Sequence, residues 1–150
     1  MTSIDVSTST DEARIRDLIE KRVPALAAGD AGPLTSHYAD RVVVFDAVGP
    51  LRHIGAAAHA RRVTDWLSAY RSGIDYTIRD LSVTAGADVA FCHYLYRVAG
   101  TMTDGTGVDM WLRSTICLRK TDGEWTITHE HTSVPFDGAT GAAALDVQPD

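Results

Sequence analysis

The chain has 150 residues, 45% hydrophobic and 23% charged, the make-up of one ordinary soluble globular domain with its own core. A formal net charge of −6 argues against a nucleic-acid partner or an anionic membrane surface. No apolar run reaches the roughly 18 residues of a membrane span, and the N-terminus lacks the basic start and apolar stretch of a secretory signal.

In chain order, a polar start expected to fray gives way to "STDE" (Ser9 to Glu12), which reads as a capping box opening a helix. Ile15, Leu18, Ile19, Val23 and Leu26 form an apolar stripe at helical spacing, with Pro24 as a kink inside it. Gly29 ends that helix, and Asp30 offers the next N-cap. A short second helix is expected next, with Leu34 and Tyr38 inward. "RVVVFD" (Arg41 to Asp46) is β-branched and aromatic, a strand, and a Gly/Pro-punctuated connection follows. A third helix is expected from Ala56 to about Ser72, with Ala60, Val63, Leu67 and Tyr70 along one side.

From Ile74 to the mid-130s the chain reads as four strands joined by turns carrying "AGAD", "TDGT" and "TDGE". Helices, a strand, a helix and then an antiparallel meander make an α+β fold. The expected domain covers residues 1–137, and residues 138–150 form an Ala/Gly-rich tail, mobile unless Leu145 and Val147 dock. Cys92 and Cys117 lie in no local motif and fit a reducing cytoplasm, as small buried hydrophobes or as one disulfide.

The stretch "LAAGDAGPLTSHYADRVVVFDAVGPLRHIG" resembles the ketosteroid-isomerase and SnoaL-like branch of the NTF2-like superfamily. Asp46, Val48, Gly49 and Gly55 match the spacing of the segment that the general-base aspartate opens in the steroid isomerases. The resemblance covers nearly the whole chain. It implies a cone, in which N-terminal helices pack on a strongly curved antiparallel sheet enclosing a pocket. It also implies a small-molecule ligand and pairing of two copies through the outer side of the sheet. Steroid isomerases add a tyrosine and a protonated aspartic acid to that base. Here those positions fall on Arg22 and on or near Thr115, so steroid isomerisation itself is not expected.

Asp46 is the leading catalytic candidate. It lies in line with Val42 and Val44, and a carboxylate entering an apolar cavity suits a general base; an Asx-type turn role is the plainer alternative. On "GVDMWLRSTICLRK", the face with Trp111, Arg113 and Thr115 either lines a polar-tipped pocket or is solvated. Strict alternation puts Trp125, Ile127, His129, His131 and Ser133 on one face, and Glu130 and Thr132 on the other. The two histidines could serve as a proton shuttle with Asp46, as part of a dimer face, or, given a third ligand, as a metal site. Trp66 and Tyr70 read as core or ligand platform. His53 could cover a pocket mouth.

The expected site is therefore Asp46 and His131 for catalysis, with Trp66, Trp111, Arg113, Thr115 and His129 for substrate. No metal is assigned. No phosphate loop, nucleophile elbow or Cys/Cys zinc pattern is present, so no cofactor is assigned either. The expected function is proton transfer on an apolar oxygenated small molecule, as an isomerase, cyclase or dehydratase. The alternative is a non-catalytic binding or dimerisation module on the same fold.

Overall fold

A computed structural model describes residues 3–150, with side chains from residue 10 onward. The elements are α1 (Ser3–Glu20), α2 (Arg22–Ala27), α3 (Gly32–Thr35), β1 (Tyr38–Phe45), β2 (His53–Ile54), α4 (Ala56–Ser68), β3 (Asp75–Ala85), β4 (Val89–Thr101), β5 (Gly107–Thr121) and β6 (Glu124–Ser133). The six strands form one sheet in the order β2-β1-β6-β5-β4-β3. β1 runs parallel to β6, and every other pair is antiparallel. This is the expected α+β architecture, a few helices packed on one side of a sheet. No described helix is long and apolar enough to cross a membrane.

The first helix starts at Ser3, ahead of the expected cap; the Ser9 side chain lies outside the described residues. Two residues of that motif tie the helix to the sheet instead. The buried Asp11 carboxylate accepts bonds from Trp125 Nε1 (3.0 Å) and Lys120 Nζ (3.2 Å), and Glu12 accepts from the Ala85 amide (3.3 Å). The kink expected at Pro24 is a break at Lys21, because the proline ring collides with the carbonyl four residues earlier. Tyr38 opens β1 rather than ending a helix. The helix expected from Ala56 to about Ser72 is α4, which stops at Ser68, four residues short of expectation.

Burial alternates along β4 and β5, so Cys92, Tyr94, Tyr96 and Val98 and then Leu112, Ser114, Ile116 and Leu118 face the helices. Ile15, Ile19, Leu26, Val42, Val44, Val63 and Ile74 complete the core. Both cysteines are free thiols, and burial pushes Cys92 up to about 12. The register of the sheet shifts on β1 between Tyr38 and Val43, and again on β3 and β6. On β3 the register slips between Arg79 and Ser82, where Asp80 takes a positive φ of 59°. On β6, Ile127 pairs with Leu118 and His129 with Cys117, which leaves Thr128 as an extra residue.

The Thr128 bulge overturns the simple alternation. Trp125 and Ile127 point inward, and after the bulge Glu130 and Thr132 take over the inner face. His129, His131 and Ser133 move to the outer one. After β6 the chain doubles back. The Asp137 amide bonds to Ala142 O (2.7 Å), the Ala144 amide to Pro135 O (2.8 Å), and Arg79 Nη2 reaches the carbonyl of Asp150 (2.7 Å). Leu145 and Val147 stay exposed, so backbone bonds and not these two side chains hold the tail.

Candidate active site

Between the helices and the inner face of the sheet lies a cavity of about 450 Å³. Leu34, Val63, Trp66, Val98, Val108, Met110 and Leu112 make its walls mainly apolar. All five tyrosines of the chain, Tyr38, Tyr70, Tyr76, Tyr94 and Tyr96, also line it. Four of them come from inward positions on strands, so the pleat aims their hydroxyls into one space.

At the floor, Arg22 and Glu130 form an ion pair, with 3% and 4% of each residue exposed. Arg22 Nη2 donates to Glu130 Oε1 at 3.3 Å and to Tyr38 Oη at 2.7 Å. Tyr38 Oη donates to the same Glu130 oxygen at 2.7 Å. Arg22 Nη1 donates to Tyr94 Oη at 3.2 Å, and the Tyr94 and Tyr76 hydroxyls lie 3.1 Å apart. Burial pushes the Glu130 carboxyl up, but Arg22, the Tyr38 hydroxyl and Arg62 outweigh it and hold the group below the ordinary carboxylate range. Burial raises the hydroxyls of Tyr38, Tyr76, Tyr94 and Tyr96 above the ordinary tyrosine range, so they remain protonated donors at neutrality.

At the mouth stands a second pair. Asp46 follows β1 in line with Val42 and Val44 and is 20% exposed through its side chain, as is Arg62 of α4. Arg62 Nη1 donates to Asp46 Oδ2 at 3.0 Å. Asp46 Oδ1 accepts from Thr132 Oγ1 at 3.0 Å and from the Ala47 amide at 2.8 Å. His59, one turn before Arg62, is 1% exposed. Its Nε2–H donates to the Leu34 carbonyl at 2.6 Å, which leaves Nδ1 to accept from Arg62 Nη2 at 3.2 Å. The ring stacks on Tyr38 with centroids 3.9 Å apart. Burial, helped by the charges of Arg62 and Arg22, holds this imidazole below the ordinary histidine range against the pull of Glu130.

Of the residues singled out from the sequence, Asp46, Trp66 and His53 line the cavity. Asp46 is not the isolated acid that the strand pattern implied, since three donors hold it. Trp111, Arg113 and Thr115 fall on the outer face of β5, opposite Leu112 and Ser114. Arg113 bonds there to Ser133 Oγ at 3.1 Å. His129 and His131 are outside as well, for the reason of the bulge. His129 donates to Val43 O at 2.7 Å, and both rings pack edge-on against Phe45. His131 borders an open hollow of about 560 Å³ on the far side of the Asp46 loop, beside Phe45 and Leu51. Among the described residues, no three His, Cys, Asp or Glu side chains come together to hold a metal.

Sequence reasoning missed Arg22, Glu130, Tyr38, His59 and Arg62 as members of one network. The usable signal was the concentration of tyrosine at alternating positions, Tyr94 and Tyr96, in a strand otherwise apolar on that side.

Residues 15–137 match the SnoaL-like domain family. The chain belongs to the SnoaL-like family. Its fold is also that of an NTF2-like protein of unknown function from Pseudomonas putida KT2440. The two are 30% identical with a TM-score of 0.84, over 95% of this chain and 99% of that one. A ketosteroid isomerase-like protein from Erwinia carotovora atroseptica superposes with a TM-score of 0.68 at 21% identity, over 82% of this SnoaL-like chain and 95% of its own. An NTF2-like superfamily protein from Salmonella enterica gives 0.75 at 16% identity, covering 89% and 96%. No curated protein matches the sequence.

Proposed function

We propose that this SnoaL-like chain is an acid–base enzyme that moves a proton next to a carbonyl of an apolar, oxygenated small molecule, as in isomerisation, cyclisation or dehydration. The observation that carries this reading is a carboxylate at the mouth and cation-backed hydroxyls at the floor of one mainly apolar cavity. The likeness to a protein named ketosteroid isomerase-like supports the same class of chemistry.

In this mechanism, a substrate carbonyl oxygen sits on the Tyr76–Tyr94 pair. Two hydroxyls share one bond, which leaves one further proton to donate, and Arg22 Nη1 on Tyr94 polarises that donor. Asp46 takes the proton from the adjacent carbon. The charge that develops on the oxygen is met by donors already in place in a dry site, the arrangement that gives electrostatic stabilisation its size. His131 has no part in this scheme.

The test is exchange of the α-protons of an apolar bicyclic ketone such as 2-tetralone in deuterated buffer, followed by NMR. Wild-type protein should accelerate exchange, and Asp46→Asn should lower that acceleration by about 10²–10⁴-fold, the usual worth of a positioned base. Acceleration that survives in Asp46→Asn removes the residue from the mechanism.

One observation favours a second reading, a binding module without catalysis: both Asp46 oxygens already accept bonds from the protein. Under it, ketones bind and no exchange is catalysed. In either reading we expect two copies to pair through the outer sheet face, where Phe45 and Phe91 are 37% and 48% exposed. Sedimentation velocity of Phe45→Glu/Phe91→Glu tests that pairing, which predicts a shift to monomer. The two free thiols fit a cytoplasmic protein.

A further inference from the structure

The two arginines of the cavity share an oddity. Arg22 Nε and Arg62 Nε are both buried, and neither has a hydrogen-bond partner. They are two of the three such side-chain atoms among the described residues, and the third, Ser114 Oγ, lies across from Tyr94 on the same inner face. Folded proteins leave few buried polar atoms unpaired. Arg22 and Arg62 both line the one hollow, which marks it as a place where something else supplies acceptors.

A guanidinium N–H can only donate, so the missing partner is an acceptor, and an ionised one bonds about twice as strongly as a neutral one. The protein's own carboxylates do not meet the need. Glu130 Oε1 is taken by Arg22 and Tyr38, and Glu130 Oε2 stands 3.8 Å from Arg62 Nη2. Arg62 otherwise spends one nitrogen on a neutral imidazole and one on Asp46. It is the more exposed of the two cations and lines both the cavity and a surface groove with His53 and Arg61, so it can be reached and can turn.

We infer that the cavity is built for an apolar monocarboxylic acid, whose carboxylate lodges against Arg62 and Arg22 while its body lies on Trp66, Val98, Met110 and Leu112. This deepens the proposed function and rests on the cavity being the ligand site. The cavity's two cations already balance its two carboxylates, so a dianion would leave twice the excess negative charge of a monoanion and is disfavoured. As the ligand's carboxylate draws Arg62 away, Asp46 keeps Thr132 and the Ala47 amide on Oδ1, and its Oδ2 is left free of a protein donor. The group that anchors the substrate thereby also frees an oxygen of the base.

Calorimetric titration with 2-naphthoate and its neutral isostere 2-naphthamide tests this. Wild-type protein should bind the acid at least about tenfold more tightly than the amide, about 1.4 kcal/mol. Arg62→Gln should remove most of that preference while changing amide affinity by less than about threefold, within the loss of one neutral contact. Arg62→Lys, which keeps the charge without the Nε donor, should retain part of it. Equal binding of acid and amide by wild-type protein, as when ordered water alone fills the unpaired positions, overturns the inference and leaves the cavity as a ligand site. A preference undiminished in both variants overturns it too. Binding of neither probe overturns the inference together with the reading beneath it. A clear preference for the acid without Asp46-dependent exchange supports the inference and removes the catalytic reading alone.

Discussion

The floor and the mouth of the cavity hold the same chemical pair, an arginine and a carboxylate, in different settings. Arg22 and Glu130 are sealed off and cross-braced by Tyr38 and Tyr94. Arg62 and Asp46 are each one-fifth exposed, and their bonds run to a loop amide, a threonine and an imidazole. A buried pair cross-braced by two tyrosines cannot rearrange without leaving a charge stranded, so the floor is scaffold and fixed dipole. A pair that water can reach exchanges partners at little expense, so the mouth is where a ligand can intervene and a proton can move.

The sharpest way to break this contrast is at the floor. Arg22→Met leaves Glu130 buried without its nearest cation and should destabilise the protein by about 3–5 kcal/mol in urea unfolding, whereas Arg22→Met/Glu130→Leu should recover most of the loss. A loss below about 1 kcal/mol for the single variant would show that the pair is not sealed. At the mouth the order reverses. Asp46→Asn should cost the ketone exchange rate at least about a hundredfold and unfolding stability less than about 1 kcal/mol.

Acid sharpens the contrast further. His59 binds protons less readily folded than unfolded, so its contribution to stability is complete above the unfolded value of about 6.5 and is lost as the pH falls from there toward the depressed folded value. Glu130, also depressed, adds a second loss below its unfolded value of about 4.3. Urea midpoints measured from pH 8 to about pH 3 should fall in these two stages, and His59→Asn should flatten the first. The smallest effects belong to the outer face. His131→Ala and Arg113→Ala should each change stability by less than about 0.5 kcal/mol and leave ketone exchange within about twofold of wild type. A large loss in His131→Ala would restore that residue to the site.

The elements read from the chain correspond to those in the structure because they rest on local signals. Glycine and aspartate punctuation marked the hairpins, and β-branched runs marked the strands. Asp46 and Trp66 were legible as cavity residues for the same reason, since each follows the period of its own strand or helix. Trp111, Arg113, Thr115, His129 and His131, assigned to the expected site, lie on the outer face of the sheet. For the β5 trio, alternation separated the two faces correctly but did not say which one was concave. For the histidines, one extra residue at Thr128 inverted the second half of the strand, and nothing in "EWTITHEHTS" announces a bulge.

The amino-acid order by itself determined the succession of helices and strands, the α+β class and the family, because propensity, periodicity and motif spacing act over a few residues at a time. Tertiary structure alone decided the site. Arg22 meets Glu130 across 108 positions and Arg62 meets Asp46 across 16. Contacts of that kind arise only when the sheet curves, a bulge resets the pleat and a helix closes over both, which bring together charges that no local pattern connects.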